Sequence, residues 1–138
     1  MKNKTSSSRK SQITDFPKKE RQAIYERDNG QCIFCGTMEN LTIAHVFYSR
    51  TKGGAGVQEN GVLACRECHN KLDYGRPKEK ERYERLAKDY LMECYPFLIP
   101  HELRYKKGRG KYEFREKMNE RASRFSLRYD GIDDSEGN

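Results

Sequence analysis

The sequence predicts a small α+β protein built around a metal site. Two Cys-x-x-Cys pairs, Cys32/Cys35 and Cys65/Cys68, bracket short apolar runs with β-branched residues, and helical patterns lie on both sides. Each pair can bind one edge of a tetrahedral zinc through two thiolates, and four thiolates leave no coordination position open. We therefore expect one structural zinc at the centre of the fold.

Composition limits the size of the hydrophobic core. Of the 138 residues, 34% are hydrophobic and 36% are charged, and the chain contains no Trp. This length and a single zinc nucleus predict one domain plus tails. Because so polar a chain gains little from burial alone, we expect the zinc to supply part of its stability.

Charge and cysteine content indicate the partner class and the compartment. A net charge of +7 and a pI near 9.2 favour nucleic acid as a partner, through phosphate neutralisation, although a merely soluble basic surface is the alternative. Four of five cysteines have metal spacing, which favours a reducing cytoplasm, and Cys94 is expected to be a buried or half-buried apolar residue. The sequence has neither the roughly 18-residue apolar run of a membrane span nor the core of a signal peptide.

Four segments are predicted along the chain. Residues 1–12 form a basic tail that we expect to be disordered, and residues 130–138 form an acidic tail of the same kind. Between them lie the zinc module, residues 13–76, and a helical, basic C-terminal extension, residues 77–129. The module begins with a helix that starts near Pro17 and ends before Asn29 and Gly30.

The stretch between the cysteine pairs is predicted to fold as strand, loop, strand and helix. An apolar run over residues 41–47 carries His45, Asn60 precedes a second run over residues 62–64, and a helix starts near Cys65. A histidine beside apolar residues is often only a core residue. In the glycine-rich loop, residues 49–56, Arg50 and Lys52 could hold phosphate and the glycines could let the backbone approach it, or they could form a flexible turn.

The extension combines a helix with a basic segment. Leu and Tyr residues recur at helical spacing between Pro77 and Pro96, which predicts an amphipathic helix of about 18 residues docked on the module. Residues 101–129 carry ten cations against four acids, with interleaved aromatics and a second helix from about 111 to 128. This pattern suits a duplex-gripping arm or a solvated helix face. The arm cations expected to contact nucleic acid, beside those of the loop, are Arg104, Lys106, Lys107, Arg109 and Lys111.

Three residues within this framework match a known motif. His45, Asn60 and His69 occur in the order Cys-x-x-Cys, Ala-His, Glu-Asn-Gly-Val-Leu-Ala-Cys-x-x-Cys-His. This order resembles the signature of the HNH endonucleases, especially the small phage-type enzymes, from the first helix through Asp73. The resemblance implies a treble-clef-like ββα-metal fold and metal-dependent cleavage of double-stranded DNA, as a nick or a double-strand cut, in a phage, prophage or mobile-element setting.

The resemblance also assigns roles. His45 takes the place of the general base, Asn60 that of a residue which braces the loop and orients the base, and His69 that of a ligand for one catalytic divalent ion, magnesium or manganese. The family usually has an acid or a second histidine before the base, where this chain has Ala44. Asp73, four residues after His69 on the same helix face, is the expected substitute, or else a closing polar residue of the helix.

Two other functions remain open. The missing ligand at Ala44 is compatible with a non-catalytic, zinc-stabilised DNA-binding module. An RNA-directed nuclease is the third alternative. A cleavage assay with a divalent metal separates the binding module from both nucleases, because a module that only binds leaves its substrate intact.

Overall fold

The computed structural model describes residues 9–133, which form five α-helices, two β-strands and two short 3-10 helices. The 3-10 helices span Gln58–Asn60 and Pro100–Leu103. The order along the described chain is α1 (Arg9–Thr14), α2 (Lys18–Arg27), β1 (Leu41–His45), β2 (Gly61–Cys65), α3 (Arg66–Tyr74), α4 (Pro77–Cys94) and α5 (Glu113–Asp133).

Strands β1 and β2 form an antiparallel pair in which Leu41 lies opposite Cys65 and His45 opposite Gly61. All five residues of β2 are buried, whereas β1 is half-buried apart from Ala44, which is fully buried. Helix α3 follows β2 directly. The predicted order of strand, loop, strand and helix is therefore confirmed, and with the cysteine cluster described below the chain has the α+β, ββα-metal type of fold.

One hydrophobic cluster joins the strands to the helices that follow them. Ala44 and Val62 from the sheet meet Leu72 of α3 and Ala87 and Leu91 of α4. Helix α4 has the predicted bounds because Pro77 fits the first helical turn, where its missing N–H costs nothing, and Tyr95 and Pro96 follow its last residue. Its apolar stripe packs on the module, as predicted.

A second hydrophobic cluster joins the two ends of the described chain. Ile13 of α1 packs with Ala55 and Val57 of the loop and with Leu103 and Phe114 of the C-terminal extension. The extension therefore contacts segments that lie far before it in the sequence, and the glycine-rich loop lies between the two ends.

The tail predictions are wrong at their inner edges. Residues 9–12 belong to α1 and residues 130–133 belong to α5, although we predicted disorder for both. Helix α1 forms because Ile13 is buried in the second cluster. Helix α5 continues because each residue added to an existing helix gains a hydrogen bond without a new nucleation cost. Residues 1–8 and 134–138 lie outside the described residues, and the boundary at residue 76 stays a prediction.

Two cations of the basic segment are used inside the fold. Arg115 binds Glu59 through two nitrogens, at 2.7 and 2.8 Å, and Glu20 at 2.7 Å. Arg121 donates to the Phe97 carbonyl and pairs with Glu102. The net charge of the basic segment therefore overstates the number of its cations that are available to contact phosphate. Within residues 9–133, no helix is long and apolar enough to cross a membrane.

Candidate metal centre and active-site cleft

Cys32, Cys35, Cys65 and Cys68 form a compact sulfur cluster. Their four sulfur atoms all lie within 4.8 Å of one another, and the Sγ atoms of Cys35 and Cys65 are 3.7 Å apart. A tetrahedral zinc with Zn–S bonds of about 2.3 Å has sulfur–sulfur edges of about 3.8 Å. The cluster is therefore able to bind zinc, as the cysteine spacing predicted.

Local backbone contacts hold these sulfur atoms in place. The Phe34 amide donates to Cys32 Sγ and the Cys68 amide donates to Cys65 Sγ, each at 3.4 Å. Burial would raise the pKa of Cys32, but backbone hydrogen bonds lower it to about 7, while burial and the neighbouring thiols raise the pKa of Cys68. A bound cation would compensate the charge of four crowded thiolates, which fits a metal site.

Cys94 lies apart from the cluster and is exposed. Our prediction that it is buried or half-buried is wrong. Helix α4 ends at this residue, three positions after Leu91, its last buried residue, so the helix has no core to cover there.

A cleft of about 660 Å³ brings together the predicted catalytic residues other than Asn60. It lies beside β1 and α3, with the glycine-rich loop on one side and α4 on the other. It is lined by the two motif histidines and by charged residues of the loop and of α4. The polar residues concerned are His45, Ser49, Arg50, Thr51, Lys52, His69, Asp73, Tyr74, Lys80, Glu84 and Lys88.

His45 is held at the end of β1 by a segment that precedes the motif. Its Nε2 atom lies 3.0 Å from the Thr14 carbonyl oxygen, and its ring stacks at an angle on Phe16 with the centroids 4.7 Å apart. A carbonyl can only accept, so Nε2 carries the proton and Nδ1 of a neutral ring has the lone pair. Burial lowers the pKa of His45 despite the Thr14 carbonyl, which favours this neutral form.

His69 is oriented by a chain of hydrogen bonds from the sheet. The Thr42 hydroxyl donates to the Ala64 carbonyl at 2.8 Å, so its oxygen accepts from His69 Nδ1 at 2.7 Å. The Nε2 atom of His69 lies 3.2 Å from Asp73 Oδ2. Asp73 and His69 therefore share one face of α3, as predicted. With Nδ1 as the donor to Thr42, Nε2 and the Asp73 carboxylate are the two groups of this helix face that could hold a cation.

Ala44 supplies nothing to this pair and points elsewhere. Successive side chains of a strand lie on opposite faces, and Ala44 is fully buried in the first hydrophobic cluster while His45 lines the cleft. Across residues 9–133, the four cysteines are the only group of three or more metal-binding side chains close enough to share an ion. His69 and Asp73 are thus a two-donor site in the described part of the chain.

Asn60 lies behind the cleft and is fully buried. Its Oδ1 accepts from the Phe47 amide at 2.8 Å, and its Nδ2 donates to the carbonyls of Tyr48 and Ala55, each at 3.1 Å. The side chain thereby ties both ends of the loop together. None of the described hydrogen bonds joins it to the His45 ring.

The glycines of the loop are packed and do not line the cleft. All three are buried, and a Cβ atom on Gly54 would lie 1.8 Å from the Tyr48 carbonyl oxygen, one on Gly56 2.2 Å from that of Asp15. Glycine is required there because another backbone segment is too close for a side chain. The interpretation that these glycines admit a phosphate is wrong.

The cations predicted to contact nucleic acid fall into two places. Arg50 and Lys52 line the cleft, and Arg50 forms an ion pair with Asp15. The arm lies on the other side of the loop, where Arg104 pairs with Gly54 in a β-bridge. Arg104, Lys106, Arg109 and Lys111 line a separate small depression there, and Lys107 is exposed.

Sequence reasoning missed the cleft wall contributed by α4. Lys80, Glu84 and Lys88 recur every four residues and face the cleft, and Lys80 pairs with Glu84 at 2.6 Å. Tyr74, at the end of α3, lines the cleft with 84% of its surface exposed. The four-residue repeat of charged residues was a usable signal, because it marks one polar helix face opposite the apolar stripe.

Comparison with known families now gives one match. Residues 32–74 match the family model described as HNH endonuclease. A search of curated proteins and a search of solved structures each gave no match. The matched segment is shorter than the resemblance we predicted, since it begins at Cys32 and leaves out the first helix. It contains the complete cysteine cluster, His45, Asn60 and the His69/Asp73 pair, and over this segment the chain is similar to the HNH endonuclease family.

Proposed function

We propose that this protein is a metal-dependent endonuclease that hydrolyses phosphodiester bonds in DNA, with His45 as the general base. The observation that supports the proposal best is the pair of assigned tautomers. His45 Nε2 and His69 Nδ1 each face a protein oxygen, so the other nitrogen of each ring can present a lone pair in the same cleft; that of His69 faces the Asp73 carboxylate 3.2 Å away. One lone pair serves proton transfer and the other serves a cation.

His45 has the environment that a general base needs. Its Nε2–H is fixed on the Thr14 carbonyl, and Nδ1 is the atom that accepts a proton from water. The lowered pKa keeps the ring neutral, and thus able to act as a base, below the usual pH range of a histidine. Attack of that water on phosphorus breaks the bond to the 3′ oxygen and leaves 3′-hydroxyl and 5′-phosphate ends.

His69 and Asp73 are the proposed ligands of the catalytic divalent cation, magnesium or manganese. A cation at this pair would stabilise charge on the phosphate and on the leaving oxygen as a Lewis acid. Its remaining ligands would come from water and substrate, which suits magnesium because this ion keeps several waters. Asn60 supports the site indirectly by fixing the loop that carries Arg50.

The walls of the cleft suit a polyanion. Arg50 and Lys52 lie on the loop side, and Lys80 and Lys88 lie on the α4 side. Eight residues of helix separate the two lysines, which corresponds to about 12 Å, or roughly three to four base steps at 3.4 Å each. We therefore propose that a DNA strand runs between the loop and α4, across His45.

A plasmid-relaxation assay tests the proposal. Supercoiled DNA is incubated with wild-type protein in magnesium, manganese or EDTA, and with His45→Ala in each metal. We expect relaxation or linearisation by wild type in a divalent metal alone. His45→Ala should lose at least about 100-fold in rate while it keeps its zinc and its affinity for DNA, because neither depends on a proton acceptor.

Two outcomes would replace the proposal. Intact plasmid in every metal, with DNA binding retained, would establish the zinc-stabilised binding module, which the alanine at position 44 and the two-donor pair favour. Cleavage of a single-stranded RNA with no cleavage of DNA would establish the RNA-directed nuclease. Wild-type activity in His45→Ala would refute the assigned base.

A further inference from the structure

The base is held by a short segment outside the matched motif. We call residues 9–15, which comprise α1 and Asp15, the strap. The last carbonyls of a helix have no partner within the helix and must find donors elsewhere. The carbonyls of the strap accept hydrogen bonds from three different segments of the chain. The Ile13 carbonyl accepts from the Gly56 amide at 2.8 Å, and the Thr14 carbonyl accepts from His45 Nε2.

Lys111 donates hydrogen bonds to the two backbone carbonyls that flank those of Ile13 and Thr14. Its ammonium nitrogen lies 3.1 Å from the Gln12 oxygen and 2.9 Å from the Asp15 oxygen. The side chain is partly buried, and burial lowers the pKa of Lys111. A positive charge at the C-terminal end of a helix also interacts favourably with the helix dipole. The lysine therefore bridges the strap on both sides of the carbonyl that orients His45.

We propose that Lys111 is a positioning residue that holds the Thr14 carbonyl in place for His45. This inference rests on the proposed role of His45 as the base. It extends the working site to the C-terminal extension, which the family match does not include. It also gives Lys111 a function different from the phosphate contact that its place in the basic segment predicts.

The physical consequence of losing Lys111 follows from the contacts. Two carbonyls at the end of a six-residue helix would lose their donor, and so short a helix has little stability of its own. The Thr14 oxygen would then no longer be fixed opposite Nε2. The imidazole could rotate or carry its proton on Nδ1, and the fraction of molecules with a lone pair on the productive nitrogen would fall.

The competing role predicts different kinetics. A lysine that contacts phosphate contributes to DNA affinity, so its removal lowers the slope of log affinity against log salt by about 0.9. A lysine that positions the base contributes to the rate of the chemical step, so its removal lowers kcat and leaves DNA affinity and its salt slope unchanged.

The experiment compares Lys111→Met, Lys111→Arg and Lys78→Met in the full chain. Lys78 is an exposed cation of α4 that does not line the cleft, and it controls for the loss of one positive charge. Three readouts are taken: kcat and KM with magnesium, the salt slope of DNA binding, and long-range 1H–15N spectra of the histidine rings. The spectra report which nitrogen of His45 is protonated, and they need neither DNA nor cleavage.

Lys111→Met should lower kcat about tenfold, the lower end of the range for residues that orient a reactive group, with KM unchanged. Its His45 ring should lose the single Nε2–H form. Lys111→Arg, which can also donate to two carbonyls, should recover most of the rate, and Lys78→Met should behave as wild type. Zinc content should be the same in all four proteins.

The inference is overturned if the His45 spectrum of Lys111→Met is that of wild type, whatever the activity. A reduced salt slope with normal kcat also overturns it, in favour of the phosphate contact. If Lys111→Met loses its zinc or its cooperative unfolding, Lys111→Gln is used in its place, and the same loss there overturns the positioning role in favour of a structural one. Absence of cleavage in wild type would reject the proposed function and leave the spectroscopic test of the strap intact.

Discussion

The cysteine cluster and the cleft lie on the two ends of the same β-hairpin and helix, but they depend on the chain in different ways. All four sulfur atoms, and the amides that donate to them, come from residues 32–68. The cleft needs the Thr14 carbonyl before that segment and the charged face of α4 after it. The motif therefore contains the four cysteines that can bind zinc, whereas the flanking segments complete the geometry around His45.

The largest effect should follow from removal of one cysteine. Cys65→Ala removes one of the four sulfur ligands of the cluster, and structural zinc sites contribute on the order of 10 kcal/mol to folding. We expect loss of zinc by metal analysis and loss of the cooperative melting transition. Cys94→Ala, which changes an exposed cysteine outside the cluster, should leave both unchanged. Retention of one zinc per chain in Cys65→Ala would contradict this assignment.

A second test concerns the position before the base. The family pattern suggests that Ala44→Asp restores a ligand, but the structure places Ala44 in the hydrophobic core. An unpaired carboxylate buried there should destabilise the protein by about 3 to 5 kcal/mol, measured by urea unfolding. Ala122→Asp, on half-exposed α5, should cost less than about 1 kcal/mol. A tighter catalytic metal with unchanged stability would show that position 44 reaches the cleft after all.

The next largest effect is expected from a change in the His69/Asp73 pair. Asp73→Asn keeps the shape of the side chain and removes its charge, so the concentration of magnesium for half-maximal cleavage should rise about tenfold. The matched control is Asp89→Asn, an exposed aspartate of α4. Equal metal requirements in Asp73→Asn and wild type would mean that Asp73 is only a polar residue at the C-terminal end of α3.

The α4 wall should affect binding more than chemistry. In a His45→Ala background, which should prevent cleavage, Lys80→Met with Lys88→Met should reduce the salt slope of DNA binding by about 1.8, since each phosphate contact contributes about 0.9. Lys78→Met on the same helix should not change it. Anisotropy with labelled duplex measures the slopes, and an unchanged slope in the double variant would remove α4 from the DNA path.

The smallest expected effect is a shift in pH dependence. A general base acts in its neutral form, and burial lowers the pKa of His45 from the ordinary 6.5, so if His45 is the base, activity should persist as pH falls through that value. The acid limb of kcat/KM, which reports the free enzyme, should have its midpoint below 6.5. The same shift means that the unfolded chain binds a proton before the folded one does, so stability should fall as pH drops through this range. A midpoint at or above 6.5 would contradict a base whose charged form is disfavoured by burial.

Much of the fold could be predicted because its signals are local. Cysteine spacing defines the metal cluster, and Pro77 and Pro96 mark the limits of α4. The spacing of four residues between His69 and Asp73 is enough to place them on one helix face. Each of these signals is a short spacing in the sequence: the two residues of one Cys-x-x-Cys pair, the ends of one helix, or two positions about one helical turn apart.

The strap could not be predicted in the same way. Residues 9–12 are polar and charged, and the single apolar residue next to them, Ile13, gives no periodic signal. Its partner Lys111 is 99 positions from Gln12 and 96 from Asp15. The loop glycines were misread for a related reason: glycine permits close approach of any group, and only the structure shows that the group is the Asp15 or Tyr48 carbonyl.

The distance in sequence between Lys111 and the strap also sets an order of events during synthesis. The zinc ligands and His45 leave the ribosome well before residue 111, so the nascent chain can bind zinc and form the hairpin before its strap is fixed. If Lys111 positions His45, the cleft reaches its final geometry only after residue 111 has been synthesised. A chain that stops before residue 111 would then keep all four zinc-binding cysteines but lack the contact that fixes the strap.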